Sequence, residues 1–312
     1  MDGLWVRRPV GLRFILGEVP LFQVNLTVLR LEDHFSRLDG HPDDHRLAAF
    51  MDPGVEGLLV RSHPVRQPLP RICHVEGLLR YVPNQYLHYY TSLQVTWEQF
   101  LKQFGKKTLQ EIQRKVRRLT ELCGGQIDLR EYRRTEEMEE LYRCGREISS
   151  QTYQERLLGV GFPQGTRWQT ELTRQAAEDR VRAWVMFHDG RPISYQYASL
   201  AGGVVAGKYL GYLGDYHKHS PGTVLHYLMF KRLIEEGGYV MFDHGQGEGP
   251  HKQLFATGSV SCADLYYVRP TLRLKTIIRL HDTMERLSAR TGKCLQNMGL
   301  KDRVKKLLRQ RA

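Results

Sequence analysis

Cysteine is scarce in this chain, and long apolar runs are missing. Five cysteines (Cys73, Cys123, Cys144, Cys262 and Cys294) are spread over 312 residues, odd in number and never spaced as C-x-x-C. That pattern argues against a disulfide framework or a cysteine-held zinc, and it points to a reducing cytoplasm. No apolar stretch approaches the roughly 18–20 residues that span a bilayer. The N-terminal "MDGLWVRRPVGLRFILG" is basic, but its apolar part is too short and too interrupted for a signal peptide. Internal repeats and low-complexity segments are also lacking. At 41% hydrophobic residues, the chain has the content for one large core or two ordinary ones.

Acidic residues are short as well: 34 Asp and Glu face 46 Lys and Arg, a net charge of +12. The excess is concentrated. Residues 269–312 carry 13 Lys and Arg against three acids, and "KQFGKKTLQEIQRKVRR" (102–118) carries seven cations and one acid, Glu111. Such clusters suit an anionic partner such as nucleic acid, a membrane surface or a phosphorylated substrate, and they suit equally the solvated faces of a basic protein.

Residues 1–95 alternate short apolar runs with Gly, Pro and Asp turns, which predicts strands with little helix. "HPDDHRLAAFMDPG" and "HPVRQPLPR" read as loops. From Trp97 the period becomes helical, and "TWEQFLKQFGKKTLQEIQRKVRRLTELCGG" predicts one helix that stops at Gly124-Gly125. Its apolar residues Leu109, Ile112, Val116 and Leu119 form one packed stripe. "QIDLREYR" predicts a strand. "TEEMEELYRCGREISSQTY" predicts a helix capped by Thr135, and "RWQTELTRQAAED" a second one. Three strands follow, with Asp189-Gly190 and Gly202-Gly203 at hairpin positions. After them come a helix opened by "YHKHSPGTVLHY", the strand "GYVMFDHG", an irregular "QGEGPHKQLFATGS" and the strand "ADLYYVR".

The stretch "HKHSPGT" poses a question of its own. Ser220 or Thr223 is able to cap the helix that follows. A glycine-bearing turn with cations ahead of a helix is also a phosphate cradle, because Gly222 lets the backbone come close and Pro221 fixes the turn.

This element order resembles an N-acetyltransferase-like (GNAT) domain. Four stretches, "WEQFLKQFGKKTLQEIQRKVRRL", "HDGRPISYQYA", "YHKHSPGTVLHY" and "FDHGQGEGPHKQLFATG", resemble the CelD/BcsL-type acyltransferases, a GNAT branch related to the FemAB aminoacyl transferases. Two positions depart from that pattern: His251 stands where a tyrosine is usual, and Phe255 where a tryptophan is common. The resemblance implies an α/β (α+β) GNAT fold, a mixed, mainly antiparallel sheet flanked by helices. It implies a mostly β, partial GNAT-like half at 1–95, the acyltransferase domain at 96–270 and a basic helical extension at 271–312.

It also implies acyl transfer from acetyl-CoA, another acyl-CoA or a carrier-protein thioester to an amine of a small molecule, peptide or sugar, with no metal. The donor's pyrophosphate is expected on Lys218, His219, Ser220, Pro221, Gly222 and Thr223, with Lys252 in support, and the carbonyl on free N–H groups near the end of "KYLGYLG". Candidates for proton transfer are Asp243, His244, Glu248 and His251, with Tyr209 or Tyr212 as proton donor. The alternatives are a FemAB-like aminoacyl transferase using tRNA and a non-catalytic GNAT-like module in a biosynthetic assembly. The C-terminal "GLKDRVKKLLRQRA", short and cationic with Leu307 and Leu308 together, suits contact with anionic lipid at the inner membrane face, cover for part of the domain, or a frayed end.

Overall fold

The computed structural model describes residues 5–16, 19–31, 51, 54–152, 155 and 161–297. Most of "HPDDHRLAAFMDPG" and all of "GLKDRVKKLLRQRA" lie outside the described residues. The chain divides into two compact units, 1–87 with 260–312, and 88–259.

In the first unit, β1 (Trp5–Leu16) and β2 (Val19–Leu31) form an antiparallel pair, and β2 runs parallel to β3 (Gly57–Pro64). β4 (Ile72–Val75) pairs with β5 (Leu78–Tyr81), and the strand β12 (Gly258–Val268) pairs antiparallel with both β3 and β5. Alternation along these strands buries two apolar clusters. Val10, Leu12, Phe14, Leu26 and Val28 pack with Leu274 and Ile278 of the helix α7 (Leu272–Asn297), and Leu58, Val60, Leu78 and Leu265 form the other.

The second unit is built on a mixed sheet in the order β6-β11-β10-β9-β8-β7. Its strands are β6 (Gln85–Ser92), β7 (Asp128–Tyr132), β8 (Val181–His188), β9 (Arg191–Ala201), β10 (Val204–Tyr212) and β11 (Met241–Gln246). Neighbours are antiparallel except β10 and β11, which run parallel. The β8–β9 turn has positive φ at Asp189 and Gly190, and the β9–β10 turn at Gly202 and Gly203. These are the tight turns that the Asp-Gly and Gly-Gly pairs predict. β8 is buried along nearly its whole length, including Trp184, as befits a strand covered on both faces.

Three predicted elements differ in detail. The long helix is two, α1 (Trp97–Leu101) and α2 (Lys106–Leu122), because Gly105 takes an extended conformation and becomes the N-cap of the second. Thr135 does not cap a helix. It opens a 3-10 turn (Thr135–Glu137) ahead of α3 (Met138–Ser149), and the Glu137 carboxylate accepts the N–H of Arg133 (2.7 Å) and Arg134 (2.8 Å) in its place. The "irregular" stretch contains a short helix, α6 (Pro250–Phe255). The helices α4 (Thr166–Ala177) and α5 (Pro221–Glu236) fall where the pattern predicts them.

Candidate active site

The site is set by where β10 and β11 stop pairing. Their parallel register covers only Val204↔Met241, Val205↔Phe242 and Ala206↔Asp243, and then the strands part. Gly207 lies at the point of parting. A Cβ there would come within 2.8 Å of the Phe242 ring, so only glycine lets the strands stay this close before they diverge. On its other side β10 shifts register against β9 between Gly207 and Tyr209, so Lys208 sits in a bulge. A bulge leaves a backbone group out of the ladder, and it is a common device beside active sites.

β10 leads through Leu213 and a 3-10 turn (Gly214–His219) into α5. Ser220, the N-cap residue, is left-handed (φ 51°, ψ 49°), and no side chain caps the helix. Its carbonyl instead accepts the N–H groups of Thr223 (3.0 Å) and Val224 (3.2 Å). Pro221 at the first helical position has no N–H to satisfy. The ordinary capping role is therefore not taken up, and the positive end of a 16-residue helix is left without a side-chain acceptor. Around it, Lys218 is exposed and His219 half-buried. The Tyr212 ring lies parallel to that of His217, centroids 6.4 Å apart. A Cβ on Gly222 would meet only Tyr212, at 3.7 Å, so this glycine is not required by packing.

Beside the parted strands is a cavity of about 160 Å³, lined by Gly207, Lys208, Tyr209, Leu210, Phe242 and His244, with Gln196 of β9, His226 of α5, and His251 and Lys252 of α6 completing the wall. Of the residues predicted from sequence, Tyr209, His244, His251 and Lys252 therefore meet at this cavity. Burial pushes the His251 pKa down, and Lys252 beside it adds to the effect. Burial also lowers Lys252, which Asp243 partly offsets; its Nζ donates to the Gln246 carbonyl (2.7 Å). Asp243 is buried, pairs with His88, and accepts the Gly245 N–H (2.6 Å), so its carboxylate closes the turn at the end of β11. Glu248 is exposed between Gly247 and Gly249 and is not part of the cavity lining. Tyr209 packs its ring among Phe162, Trp168 and Tyr197, whereas Tyr212 is exposed.

Sequence reading alone missed His226, Gln196 and Thr91. His226 is buried, and its ring stacks on His251 with centroids 5.8 Å apart. Burial and the neighbouring His251 push its pKa down to about 3. His244 is likewise buried and pushed down to about 2, by burial first and then by His226, His251 and Lys252. The one sequence signal was a histidine in the middle of "VLHYLMF", which the pattern does not separate from an exposed one.

On α2, Ile112 and Leu119 are buried, whereas Arg114, Arg117 and Arg118 are exposed and Lys115 is half-buried. Arg114 pairs with Glu111 at 2.7 Å. The C-terminal end of α2 is tied to the 3-10 turn by His188, whose Nε2–H donates to the Leu122 carbonyl (3.1 Å) and whose Nδ1 accepts from the Tyr216 hydroxyl (2.9 Å). The basic helix thus borders the turn that carries Lys218.

Residues 106–253, the segment that carries the parted strands and the uncapped helix between them, match the family described as acetyltransferase (GNAT) domain. The mixed α/β fold is that of known structures. FemX is similar over 88% of this chain and 90% of its own, at 11% identity and a TM-score of 0.54. L-PGS from Bacillus licheniformis matches over 90% and 88%, at 13% identity and a TM-score of 0.52. The C-terminal domain of a lysylphosphatidylglycerol synthetase from Agrobacterium fabrum, itself assigned only provisionally, matches over 82% and 81%, at 10% and 0.51. No curated protein matches the chain in sequence. Among the described residues, no helix is long and apolar enough to cross a membrane.

Proposed function

We propose that this protein is an N-acyltransferase of the CelD/BcsL type, with residues 96–270 as its acyltransferase domain and 1–95 and 271–312 as accessory regions. The observation that carries this reading is the parting of β10 and β11 beside the uncapped start of α5. The donor is acetyl-CoA, another acyl-CoA or a carrier-protein thioester. Its pyrophosphate lies against the backbone from Ser220 to Thr223, where the helix dipole supplies about half a positive charge, with Lys218, His219 and Lys252 as cationic neighbours. The interruption of the β9–β10 ladder at Lys208 is the proposed place for a backbone N–H to meet the thioester oxygen.

In the transfer the acceptor nitrogen forms a bond to the acyl carbon and the carbon–sulfur bond breaks. The nitrogen's proton goes to a base, and the thiolate receives a proton from an acid such as Tyr212. His251 and Glu248 are the candidate bases; the lining position of His251 favours it, and Asp243 holds the strand end in shape. A base must be unprotonated to act, so the rate rises with pH through its pKa. Because the His251 pKa is lowered, the rise is expected below pH 6.5 and the plateau at neutrality. His251→Gln is expected to slow turnover on the order of 10²-fold with donor affinity unchanged. Unchanged turnover in both His251→Gln and Glu248→Gln removes both from the chemistry.

The basic face of α2 favours a second reading, a FemAB-like aminoacyl transferase in which Arg114, Lys115, Arg117 and Arg118 hold tRNA phosphates. Binding to tRNA should then weaken steeply with salt, and neutralising two of the four should reduce the log–log slope by roughly 1.5. A flat salt dependence eliminates this reading and leaves α2 a solvated face. Contact with an anionic membrane surface, or a purely binding role in an assembly, is left for the case in which neither thioester nor tRNA is bound.

A further inference from the structure

The cavity beside the parted strands is lined by two imidazoles whose Nδ1 lone pairs receive no hydrogen bond from the described residues. Gln196 sets the first. Its amide N–H groups donate to the carbonyls of Tyr197 (2.9 Å) and Tyr209 (3.2 Å), so its Oε1 faces His226 Nε2 at 3.1 Å and must be the acceptor. His226 therefore carries its proton on Nε2, and Nδ1 keeps a lone pair. That Nδ1 has no hydrogen-bond partner among the described residues and no surface open to the cavity. Thr91 sets the second. Its single hydroxyl hydrogen goes to the Phe255 carbonyl (2.9 Å), so His244 must donate Nε2–H to Thr91 Oγ1 (2.7 Å) and keep its own lone pair on Nδ1.

The two rings are nearly perpendicular, with centroids 6.5 Å apart, and both line the cavity. The lining contains no Asp or Glu, and its charged members are Lys208 and Lys252. A cationic ligand is disfavoured there, and a ligand with only acceptors leaves the imidazole lone pairs unmet. The volume, about 160 Å³, compares with the roughly 150 Å³ cavity that admits benzene, so about six non-hydrogen atoms fit and a long chain does not.

We propose that this cavity is a specificity pocket for a short acyl group bearing an uncharged hydroxyl, whose O–H donates to His244 Nδ1, with the closed-in His226 ring as a neighbouring wall. The inference rests on the acyl-transfer reading, and it adds the class of acyl group. The depressed pKa values keep both rings neutral, and His244 so accepting, across the neutral range.

Glycolyl-CoA and propionyl-CoA differ only by hydroxyl against methyl, and they separate the possibilities. Glycolyl-CoA is expected to be preferred about tenfold in kcat/KM, as one neutral hydrogen bond allows. His244→Asn, which keeps an acceptor near the Nδ1 position, should retain a preference, and His244→Phe should bring the ratio close to one. Equal use of the two esters, a preference for propionyl-CoA, or an unchanged preference in His244→Phe overturns the proposal. If neither ester binds, the donor reading fails, and the pocket is then tested apart from it. Glycolamide, and not propionamide, should move the 15N resonance of His244 Nδ1 in the free wild-type protein. Identical responses to the two amides overturn the pocket as well.

Discussion

Replacing Gly222 by valine is expected to abolish binding of acetyl-CoA and of longer acyl-CoA esters, measured by calorimetry, while thermal unfolding stays cooperative. The two halves of this expectation have separate causes. Gly222 has no positive φ, and a Cβ added there meets only Tyr212 at an ordinary contact distance of 3.7 Å, so the fold has no need of glycine. A pyrophosphate held on the first turn of α5 does need it, because a branched side chain beside the helix entrance keeps phosphate oxygens away from the backbone N–H groups. A loss of two orders of magnitude or more corresponds to about 2.7 kcal/mol or more of binding. Unchanged affinity in a folded Gly222→Val protein would mean that phosphate is not held there.

The second large effect is on stability. His226 and His244 are held neutral in the folded protein, with pKa values pushed down to about 3 and about 2, whereas an unfolded histidine titrates near 6.5. Between these limits the unfolded chain binds more protons than the folded one, so stability is present above about pH 6.5 and is lost as the pH falls below it. Each ring contributes a slope of up to about 1.4 kcal/mol per pH unit. The pair together loses roughly 3 kcal/mol between pH 6.5 and pH 5, a large part of the stability of an ordinary domain. Glu137, Glu155 and Glu236, whose pKa values are lowered by arginine and backbone partners with burial opposing, act in a different window, below the carboxylate range near pH 4.5. Denaturant unfolding at pH 5.0 and 6.5 therefore isolates the histidines. His226→Phe should reduce the difference by less than half, because burial also lowers His251 and His281, whose unfolded forms protonate in the same window. A stability that does not change between these pH values would mean that the rings are not held neutral.

Much of the second unit was legible because its signals are local. Asp189-Gly190 and Gly202-Gly203 demand positive φ, and they make the turns the sequence predicts. Ser-Pro-Gly marks the start of α5, although only the structure reveals that Ser220 turns left-handed and leaves the helix uncapped. The short α6 was hidden by glycines on either side, which read as loop although Pro250 is well suited to a first helical position.

The cavity was the least legible part, since none of its defining relations is local. His226 depends on Gln196, thirty residues earlier, and His244 depends on Thr91 on a strand more than 150 residues away. The parting of β10 and β11 is a matter of register between strands, which a one-dimensional pattern does not carry. His244, His251 and Lys252 were found because they are titratable and lie at or just beyond the end of a strand. His226 was not, because it sits in an apolar helix with the spacing of any core residue.

The account turns on whether an acyl thioester is bound at the start of α5, and native mass spectrometry of the purified protein tests that directly. With acetyl-CoA, glycolyl-CoA and tRNA offered in turn, the expected result is a complex with one molecule of a CoA ester at low micromolar protein. Binding of tRNA with no CoA ester bound, or binding of neither, would contradict it.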